Sequence, residues 1–339
     1  MIDMKRMDLT EITDFLIGQD QDELAMTGCT AIIAPNGAVC GVDVRGGSPG
    51  TRDTDALNPL CNRKEVHGII LSGGSSFGLD AAGGLMQLLE EKGIGRDVGV
   101  TMVPNVCSAI LFDLKCGSHQ VRPDAAMGRM AGENAFVGLP FQSGNYGAGT
   151  GATIGKSNGL QNAMKGGIGA AAFCHGNLFV AAVFAVNCVG DIVENGQIIA
   201  GARKENSLDF ADSEALILSS HTSEKDFFSG NTIIGCIMTN AAFTKPQAAR
   251  LAAQGHNAIA RTVYPAHSIY DGDTIFALCS GRVNASADSV GILAAHAAQD
   301  AIIDAIKSAR THGNYLSFED RSRKMQQKSD LKMQGIEAN

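Results

Sequence analysis

Tryptophan is absent from this chain of 339 residues, and aromatic residues make up only 5% of it. Aromatic side chains bury more surface per residue than most others. The core must therefore be built mainly from alanine, valine, isoleucine and leucine. With 45% apolar and 18% charged residues, the composition is that of a globular protein. The length suits one large domain or two ordinary ones.

Motifs for metal binding and for redox chemistry are also missing. The nine cysteines are scattered without a C-x-x-C pair, and no H-E-x-x-H motif occurs. The eight histidines are spread along the sequence and do not cluster in it. We therefore predict that the protein needs no metal and no cofactor. An odd number of cysteines without paired spacing fits a reducing compartment, so we expect a cytoplasmic protein.

No segment has the character of a targeting or membrane sequence. Residues 1–22 are charged and lack an apolar signal core, and no run of about 18 apolar residues occurs. The formal net charge of −8 and the pI of about 5.5 argue against a nucleic-acid-binding surface. The glycine-rich turn at 72–78 lacks the G-K-[ST] ending and the G-x-G-x-x-G spacing of nucleotide sites. We therefore expect neither a membrane nor a nucleic acid as partner.

Glycine, by contrast, is abundant, with 41 residues and no collagen-like period, which predicts tight turns and close backbone packing. Two β-rich runs flank Pro35-Asn36-Gly37 and predict a hairpin there. Hydrophobic periodicity predicts further strands at 66–71, 98–103, 275–279 and on both sides of 175–177, and helices at 79–92, 124–134, 245–263 and 285–309. This mixed order favours antiparallel or mixed sheets with helices on their outer faces.

Three polar segments accompany these elements. Residues 1–25 are predicted to form a short helix or an arm, and residues 310–339 a polar, mobile tail. Residues 203–229 are predicted to be a mobile connector that tolerates a nick. We treat residues 1–339 as a single catalytic domain.

The junction that follows this connector, Asn231-Thr232, has two interpretations. In the simpler one, Thr232 is a β-branched residue that begins a buried strand. In the other, residues 229–232 form a tight turn in which the Thr232 hydroxyl attacks the preceding carbonyl, and water opens the resulting ester. The new chain would begin with Thr232, whose free α-amine can act as the general base for its own hydroxyl.

Five other polar side chains are candidates for chemistry, and each also has a structural interpretation. Asn187, at the end of an apolar run, either donates to a developing oxyanion or caps backbone groups. Lys156 and Lys165 either favour an alkoxide electrostatically or are exposed loop lysines. Asp271 and Asp273 either hold the α-amine or a substrate ammonium group, or they belong to an ordinary turn.

Two glycine-rich stretches supply candidate substrate-binding residues. Ser75 and Ser76 follow a predicted strand, and their hydroxyls either bind substrate or cap the next helix. Tyr146 begins the second stretch, at 146–156. Together with the junction, these residues indicate a nucleophilic site that needs no metal.

Seven motifs occur in a fixed order between residues 26 and 309: TGCT at 27–30, GVDVRGGSPGTR at 41–52, SGGSSFGLD at 72–80, GAGTG at 147–151, KGGIG at 165–169, NT at 231–232 and DGDT at 271–274. Together they resemble the DmpA-type L-aminopeptidase/D-Ala-esterase/amidase family. This family includes β-peptidyl aminopeptidases and the nylon-oligomer (6-aminohexanoate-oligomer) endo-hydrolases. The resemblance implies a four-layer αββα sandwich of the DmpA/ornithine acetyltransferase type, with antiparallel or mixed sheets covered by helices.

The resemblance also implies self-cleavage at Asn231-Thr232 into an α chain of residues 1–231 and a β chain of residues 232–339. Thr232 then matches the family nucleophile, and Asn187 matches its strand-end asparagine. Either Lys156 or Lys165 matches the lysine near the nucleophile, and the sequence does not decide between them.

Asp271 and Asp273 match the acidic pair of the family. The Asp-Gly-Asp form and the threonine nucleophile resemble the nylon-oligomer branch, whereas the aminopeptidase branch has Ser-Gly-Glu and a serine. The tyrosine of the aminopeptidases falls around Cys107, where this chain has no tyrosine nearby.

The sequence therefore predicts an amidohydrolase or peptidase that acts on small peptides or peptide-like oligomers through an acyl-enzyme. Alternatives are an aminopeptidase or esterase of the same family, an acyl transferase of the ornithine acetyltransferase type, and a non-catalytic small-molecule-binding protein. By resemblance alone, we expect a homo-oligomer, with a tetramer as the expected form.

Overall fold

The computed structural model describes residues 4–220 and 230–333. Ser229, the rest of the predicted connector over 221–229, residues 1–3 and the end of the predicted tail over 334–339 lie outside the described residues. The strands are β1 (Lys5–Met7), β2 (Leu16–Asp22), β3 (Thr27–Val44), β4 (Thr51–Arg52), β5 (Val66–Ser72), β6 (Arg96–Asp97), β7 (Met102–Val103), β8 (Val106–Ile110), β9 (Thr153–Ile154), β10 (Met164–Lys165), β11 (Gly167–His175), β12 (Leu178–Asn187), β13 (Asp191–Glu194), β14 (Gln197–Ala200), β15 (Thr232–Ala241), β16 (Val263–Tyr264) and β17 (Thr274–Val283). The helices are α1 (Ala81–Glu91), α2 (Ala125–Val137), α3 (Ser213–Ser219), α4 (Lys245–Thr262), α5 (Ala287–Lys307) and α6 (Phe318–Met333).

Two sheets share the long strand β3. Its first half pairs with β2 and β5, and its second half pairs with β17. One sheet has the order β1-β11-β12-β15-β17-β3, and the other has the order β3-β5-β8-β4 with β2 also beside β3. Most neighbours are antiparallel, but β15–β17 and β5–β8 are parallel, so both sheets are mixed.

Side-chain alternation along the strands separates the cores, because successive residues point to opposite faces of a sheet. Along β12, Phe184 and Val186 join the cluster that α4 and α5 cover, while Ala181 and Val183 join the cluster between the sheets. A third cluster lies between the outer face of the second sheet and helices α1 and α2. The layers are therefore helix, sheet, sheet, helix, which confirms the predicted αββα sandwich.

Helix α5 is long and apolar enough, by length and composition, to cross a membrane, and no other helix of the described residues is. However, 61% of its most apolar window is buried inside the molecule, where it packs on β11 and β12. Such burial is typical of a core helix.

Several predicted elements are confirmed with small shifts of their ends. The strands on both sides of 175–177 are β11 and β12, which form an antiparallel hairpin, and Asn187 ends β12 as expected. The predicted helices near 124–134, 245–263 and 285–309 are α2, α4 and α5. Pro246 lies in the first turn of α4, as the sequence indicated.

The hairpin predicted at Pro35-Asn36-Gly37 is wrong. These residues lie inside the continuous strand β3, where the pairing with β5 shifts register between Ile33 and Ala38. The two flanking runs pair with different partners instead of with each other, since β3 passes from one sheet to the other. Gly37 keeps the left-handed φ of +73° that makes Asn-Gly typical of turns.

Three further expectations need correction. Within residues 4–25, Leu9–Glu11 forms the expected short helix, as one turn of 3-10 helix, but the segment is not a free arm, because β1 pairs with β11 and Leu16–Asp22 is strand β2, which pairs with β3. The strand predicted at 98–103 is only the small hairpin β6–β7, and the buried strand of this region is Val106–Ile110. In the predicted tail, Phe318–Met333 is helix α6, where Arg321 Nε donates to the carbonyl oxygen of Leu208 at 2.7 Å. The mobility of the tail stays a prediction.

Candidate active site

The ends of three central strands position the candidate nucleophile. Thr232 begins β15 and lies opposite Asn187, the last residue of β12, in antiparallel register. On the other side, β17 runs parallel to β15, with Thr274 opposite Ile234. The apolar runs of these strands fill the two cores, so their polar terminal residues gather at one edge of the first sheet. Thr232 and Asn187 are both buried there.

The backbone before Thr232 turns tightly against Phe112. Gly230 has a left-handed φ of +71°, and a Cβ at this position would lie 2.1 Å from Cδ1 of Phe112. The Thr232 hydroxyl contacts the carbonyl oxygen of Asn231. The backbone N–H of Gly272 donates to that carbonyl oxygen and to the hydroxyl oxygen, both at 3.2 Å. The hydroxyl and the carbonyl that precedes it therefore share one backbone donor.

Asp271 lies almost fully buried beside Asn231, with which its backbone forms a parallel bridge. Its Oδ2 accepts from the N–H of Ser268 at 2.7 Å, and its Oδ1 has no hydrogen-bond partner within residues 4–220 and 230–333. Burial, and then repulsion by Asp273, raise the pKa of Asp271 to about 6. In the Asp271-Gly272-Asp273 segment, the group that faces the candidate nucleophile's hydroxyl is the N–H of Gly272 and not a carboxylate.

Asp273 makes two hydrogen bonds that the sequence did not predict. Its Oδ1 accepts from the N–H of Ile233 at 2.7 Å, and its Oδ2 lies 2.7 Å from Nδ1 of His267. The His267 ring packs edge-on against the ring of His256, with 4.9 Å between their centroids. Two histidines that looked dispersed in the sequence are thus neighbours, because the loop after α4 returns along that helix. No group of three or more metal-ligating side chains occurs in the described residues.

Lys156 is buried and makes three hydrogen bonds. Its Nζ donates to the backbone oxygen of Asn187 at 3.0 Å, to Oδ1 of Asn187 at 2.9 Å and to the carbonyl oxygen of Gly230 at 2.7 Å. Burial lowers the pKa of Lys156 to about 8. Lys156 is therefore a buried cation and not an exposed loop lysine. It contacts the carbonyl of Gly230, the residue just before the Asn231–Thr232 pair.

Lys165 is also fully buried, but it serves a different part of the chain. Its Nζ donates to the carbonyl oxygens of Gly149, Ala152 and Gly166 at 2.9, 2.9 and 3.0 Å. Burial lowers the pKa of Lys165 to about 7. Lys165 thus holds the glycine-rich loop closed, and of the two lysines only Lys156 is hydrogen-bonded to Asn187.

The Asn187 side chain uses both ends of its amide. Oδ1 accepts from Lys156 Nζ and from the N–H of Thr153, each at 2.9 Å. Nδ2 donates to the carbonyl oxygens of Gly230 at 3.0 Å and Phe112 at 3.1 Å. Two side chains, Lys156 and Asn187, therefore point N–H donors at the same Gly230 carbonyl oxygen.

The predicted substrate-binding residues lie elsewhere. Ser75 is half-buried with a left-handed φ of +55°, Ser76 is exposed, and neither caps the following helix α1, whose N-cap is Asp80. Tyr146 lines a cavity of about 610 Å³ together with Thr150, Arg310 and His312. In the described part of the chain, none of the three has a hydrogen bond to Thr232 or Asn187, so their role in binding stays a prediction.

Sequence reasoning missed the contributions of Gly272 and His267. The donor from Gly272 is a backbone N–H, and the position of a backbone donor cannot be predicted from residue type. His267 lies six positions before Asp273 in the same loop, and this short spacing was the available signal.

Comparison with known proteins places these features in a family context. The model of peptidase family S58 matches residues 8–316. An uncharacterized aminopeptidase of Mycobacterium tuberculosis (strain ATCC 25618 / H37Rv) is 37% identical over 291 residues, which cover 83% of this chain and 81% of the relative. The 6-aminohexanoate-oligomer endohydrolase of Kocuria sp. (strain KY2) is 32% identical over 312 residues, which cover 86% and 83%.

Two solved structures share the fold. The L-aminopeptidase D-Ala-esterase/amidase of Ochrobactrum anthropi, described as a variant of the Ntn hydrolase fold, superposes with a TM-score of 0.66 at 16% identity and covers 98% of this chain and 95% of that chain. A β-aminopeptidase of Burkholderia sp. has a TM-score of 0.64 at 18% identity and covers 95% and 93%.

Proposed function

The chain belongs to peptidase family S58 and is a hydrolase of peptide or amide bonds, and we propose that it cuts its own Asn231–Thr232 bond and then uses Thr232 as an N-terminal nucleophile. The family match confirms the resemblance that the seven sequence motifs carry. The threonine nucleophile and the self-processing are the further steps of the proposal.

The observation that carries the proposal is the contact between the Thr232 hydroxyl and the carbonyl of Asn231, with the Gly272 N–H on both oxygens. In self-cleavage, Oγ1 of Thr232 attacks the carbonyl carbon of Asn231, and negative charge develops on the carbonyl oxygen. A backbone N–H aimed at that oxygen stabilises the charge. Collapse breaks the C–N bond and leaves an ester, and water then opens the ester to an Asn231 carboxylate and a free Thr232 α-amine.

Cleavage also changes what two donors can bind. Before it, Lys156 Nζ and Asn187 Nδ2 are both occupied by the carbonyl oxygen of Gly230. Once the bond to Thr232 is broken, the new chain end carrying Gly230 can move away. The two donors can then stabilise the oxyanion that forms when the nucleophile attacks a substrate amide.

The remaining groups complete the catalytic cycle. The free α-amine of Thr232 takes the proton of its own hydroxyl and passes it to the leaving amine, and an acyl-enzyme forms on Oγ1. Asp271, whose Oδ1 has no partner within the described residues, is positioned to hold the new α-amine. Water then releases the acyl group by the reverse sequence of proton transfers.

Small peptides or peptide-like oligomers are the proposed substrates. The threonine at the junction and the Asp-Gly-Asp sequence favour endo-cleavage of oligomers, as the name of the Kocuria relative describes for that protein. An aminopeptidase activity is the second candidate, because several relatives carry that name. We further propose a cytoplasmic homotetramer, which sedimentation analysis and cell fractionation would test.

The test begins with a denaturing gel of the purified protein and mass analysis of the smaller fragment. Two bands, with the smaller fragment beginning at Thr232, are expected. A panel of short amides, N-blocked oligomers and esters, tested on the processed protein, then separates endo-cleavage from aminopeptidase action. A protein that remains one band and is nevertheless fully active would overturn the proposal.

A further inference from the structure

His267 is linked to the strand of the proposed nucleophile through the Asp273 carboxylate. Its Nδ1 is 2.7 Å from Oδ2 of Asp273. Because a carboxylate oxygen accepts hydrogen bonds, Nδ1 is the donor in this pair. This hydrogen bond fixes the orientation of the His267 ring and of the Asp273 carboxylate relative to each other.

The other oxygen of Asp273 reaches the nucleophile's own strand. Oδ1 accepts at 2.7 Å from the N–H of Ile233, the first peptide group after Thr232. This peptide group forms the C-terminal boundary of the residue that would become the new chain end. A carboxylate that turned away would release this N–H, and Thr232 would lose a fixed point two bonds from its own Cα.

The imidazole of His267 is itself held in place. His267 has a left-handed φ of +56°, a conformation in which histidine occurs more often than most residues. Its ring packs edge-on against the fully buried ring of His256, and Nε2 of His256 lies 3.1 Å from the carbonyl oxygen of Asp43 on β3. Burial lowers the pKa of His256, so this supporting ring is neutral at physiological pH. The support thus extends from β3 through α4 to the loop before β17.

Ser268, the residue after His267, fixes the carboxylate of Asp271 in a similar way. The N–H of Ser268 donates to Oδ2 of Asp271 at 2.7 Å, and the N–H of Asp271 donates back to the Ser268 oxygen at 3.1 Å. Two consecutive residues therefore hold the two aspartates separately. Asp273 is the one that both of its neighbours, His267 and Ile233, lock from opposite sides.

We propose that His267 is a positioning residue that fixes the Asp273 carboxylate, and through it the Ile233 N–H, so that the Thr232 hydroxyl stays aligned for attack. This inference rests on the proposed function of Thr232. A misplacement of about 1 Å in a reacting group can cost about 100-fold in rate. The loss should appear in self-cleavage and in kcat, and leave KM little changed.

The test compares His267→Gly with His267→Asn. Glycine removes the ring while tolerating the left-handed backbone. Asparagine also tolerates that backbone, and its Nδ2 occupies the place of Nδ1, so the donor to Asp273 is kept. We expect His267→Gly to lower the rate of self-cleavage and the kcat of the processed fraction by about 10- to 100-fold. We expect His267→Asn to stay within about threefold of the wild type.

A double-variant cycle supplies the readout that a purely structural histidine would not move. In an Asp273→Ala background, where both acceptor oxygens are gone, His267→Gly should lower the rate by less than about threefold more. Three results would each overturn the positioning role. The first is an equal loss of rate in both backgrounds, and the second is a His267→Asn variant as slow as His267→Gly. The third is a His267→Gly variant whose kcat stays within threefold of the wild type. Rates are compared per folded molecule, with thermal melts of all variants.

The same experiments separate this inference from the function on which it rests. A Thr232→Ala variant that still hydrolyses substrate would show that Thr232 is not the nucleophile. If Thr232→Ala is inactive and His267→Gly is fully active, only the positioning role of His267 is contradicted.

Discussion

Lys156 is hydrogen-bonded to Asn187 twice, through the backbone carbonyl oxygen at 3.0 Å and the side-chain Oδ1 at 2.9 Å. Its third bond goes to the carbonyl oxygen of Gly230. Three acceptors match the three protons of an ammonium group, whereas a neutral amine has only two. With a pKa of about 8, Lys156 carries its charge at neutral pH in this site.

The two buried lysines provide a matched pair of variants. Lys156→Met should lower self-cleavage and kcat by about 100-fold or more, because a charged donor at the oxyanion position is lost. Lys165→Met should leave the rates per folded molecule within a few-fold, since its partners are carbonyl oxygens of the glycine-rich loop. Each variant removes three buried hydrogen bonds, so both should lower the melting temperature. Equal losses of rate in the two variants would contradict the distinction.

Thr232 is expected to serve both reactions with one hydroxyl. Thr232→Ala should abolish self-cleavage and hydrolysis together, while Thr232→Ser and Thr232→Cys should keep part of each. Denaturing gels and substrate turnover measure the two reactions on the same preparations. Cleavage of the Thr232→Ala chain at the same bond would show that another group attacks it.

The pH dependence of hydrolysis should reveal the charge of Asp271. Its pKa of about 6 means that it is ionised in the range where an α-amine, with a reference pKa of about 7.7–8.0, loses its proton. A nearby carboxylate stabilises the ammonium form and raises the amine's pKa, so its removal lowers that pKa. Asp271→Asn should therefore shift the rising limb of the kcat profile toward acid by about one pH unit.

Asp271→Glu is the control for this shift, because it keeps the negative charge. Its rising limb should remain near that of the wild type even if turnover slows. Superimposable profiles for the wild type and Asp271→Asn would remove Asp271 from the surroundings of the amine.

Asn187 is expected to act through its Nδ2 donor. Asn187→Ala should lower kcat by about 10²–10³-fold, the usual loss for one oxyanion donor. Asn187→Asp keeps an acceptor for Lys156 and for the Thr153 N–H but removes the donor, so it should be nearly as slow. If kcat stays within a few-fold in both variants, Asn187 is only a structural cap.

Gly230 should matter for processing alone. A Cβ at this left-handed position would meet the Phe112 ring at 2.1 Å, so Gly230→Ala should slow self-cleavage by at least about tenfold. Protein that has finally been cut should turn over substrate almost normally, since residue 230 then belongs to the departing chain end. A kcat loss in the processed fraction as large as the loss in processing would assign Gly230 to substrate turnover as well.

The strands that carry the site were predictable because their apolar runs are long and end at polar residues, as at Asn187 and Thr232. The hairpin at Asn36-Gly37 failed for a reason that local patterns do not contain, since the partners of β3 lie on two different sheets. The choice between Lys156 and Lys165 depends on the path of the loop between them, which spacing alone does not define. His267 escaped notice because its partners, Asp273 and His256, become neighbours only when the chain after α4 folds back.

The order of strands in the first sheet has a consequence for a molecule cut after residue 231. In that molecule β15 and β17 belong to the second piece, yet β15 pairs with β12 and β17 pairs with β3 of the first piece. The two pieces are thus interleaved through the middle of the sheet and cannot separate without unfolding. Heat would release two polypeptides from each folded unit instead of one, so mass action makes the melting temperature of the cut form depend more steeply on protein concentration than that of the uncut form in the same oligomeric state.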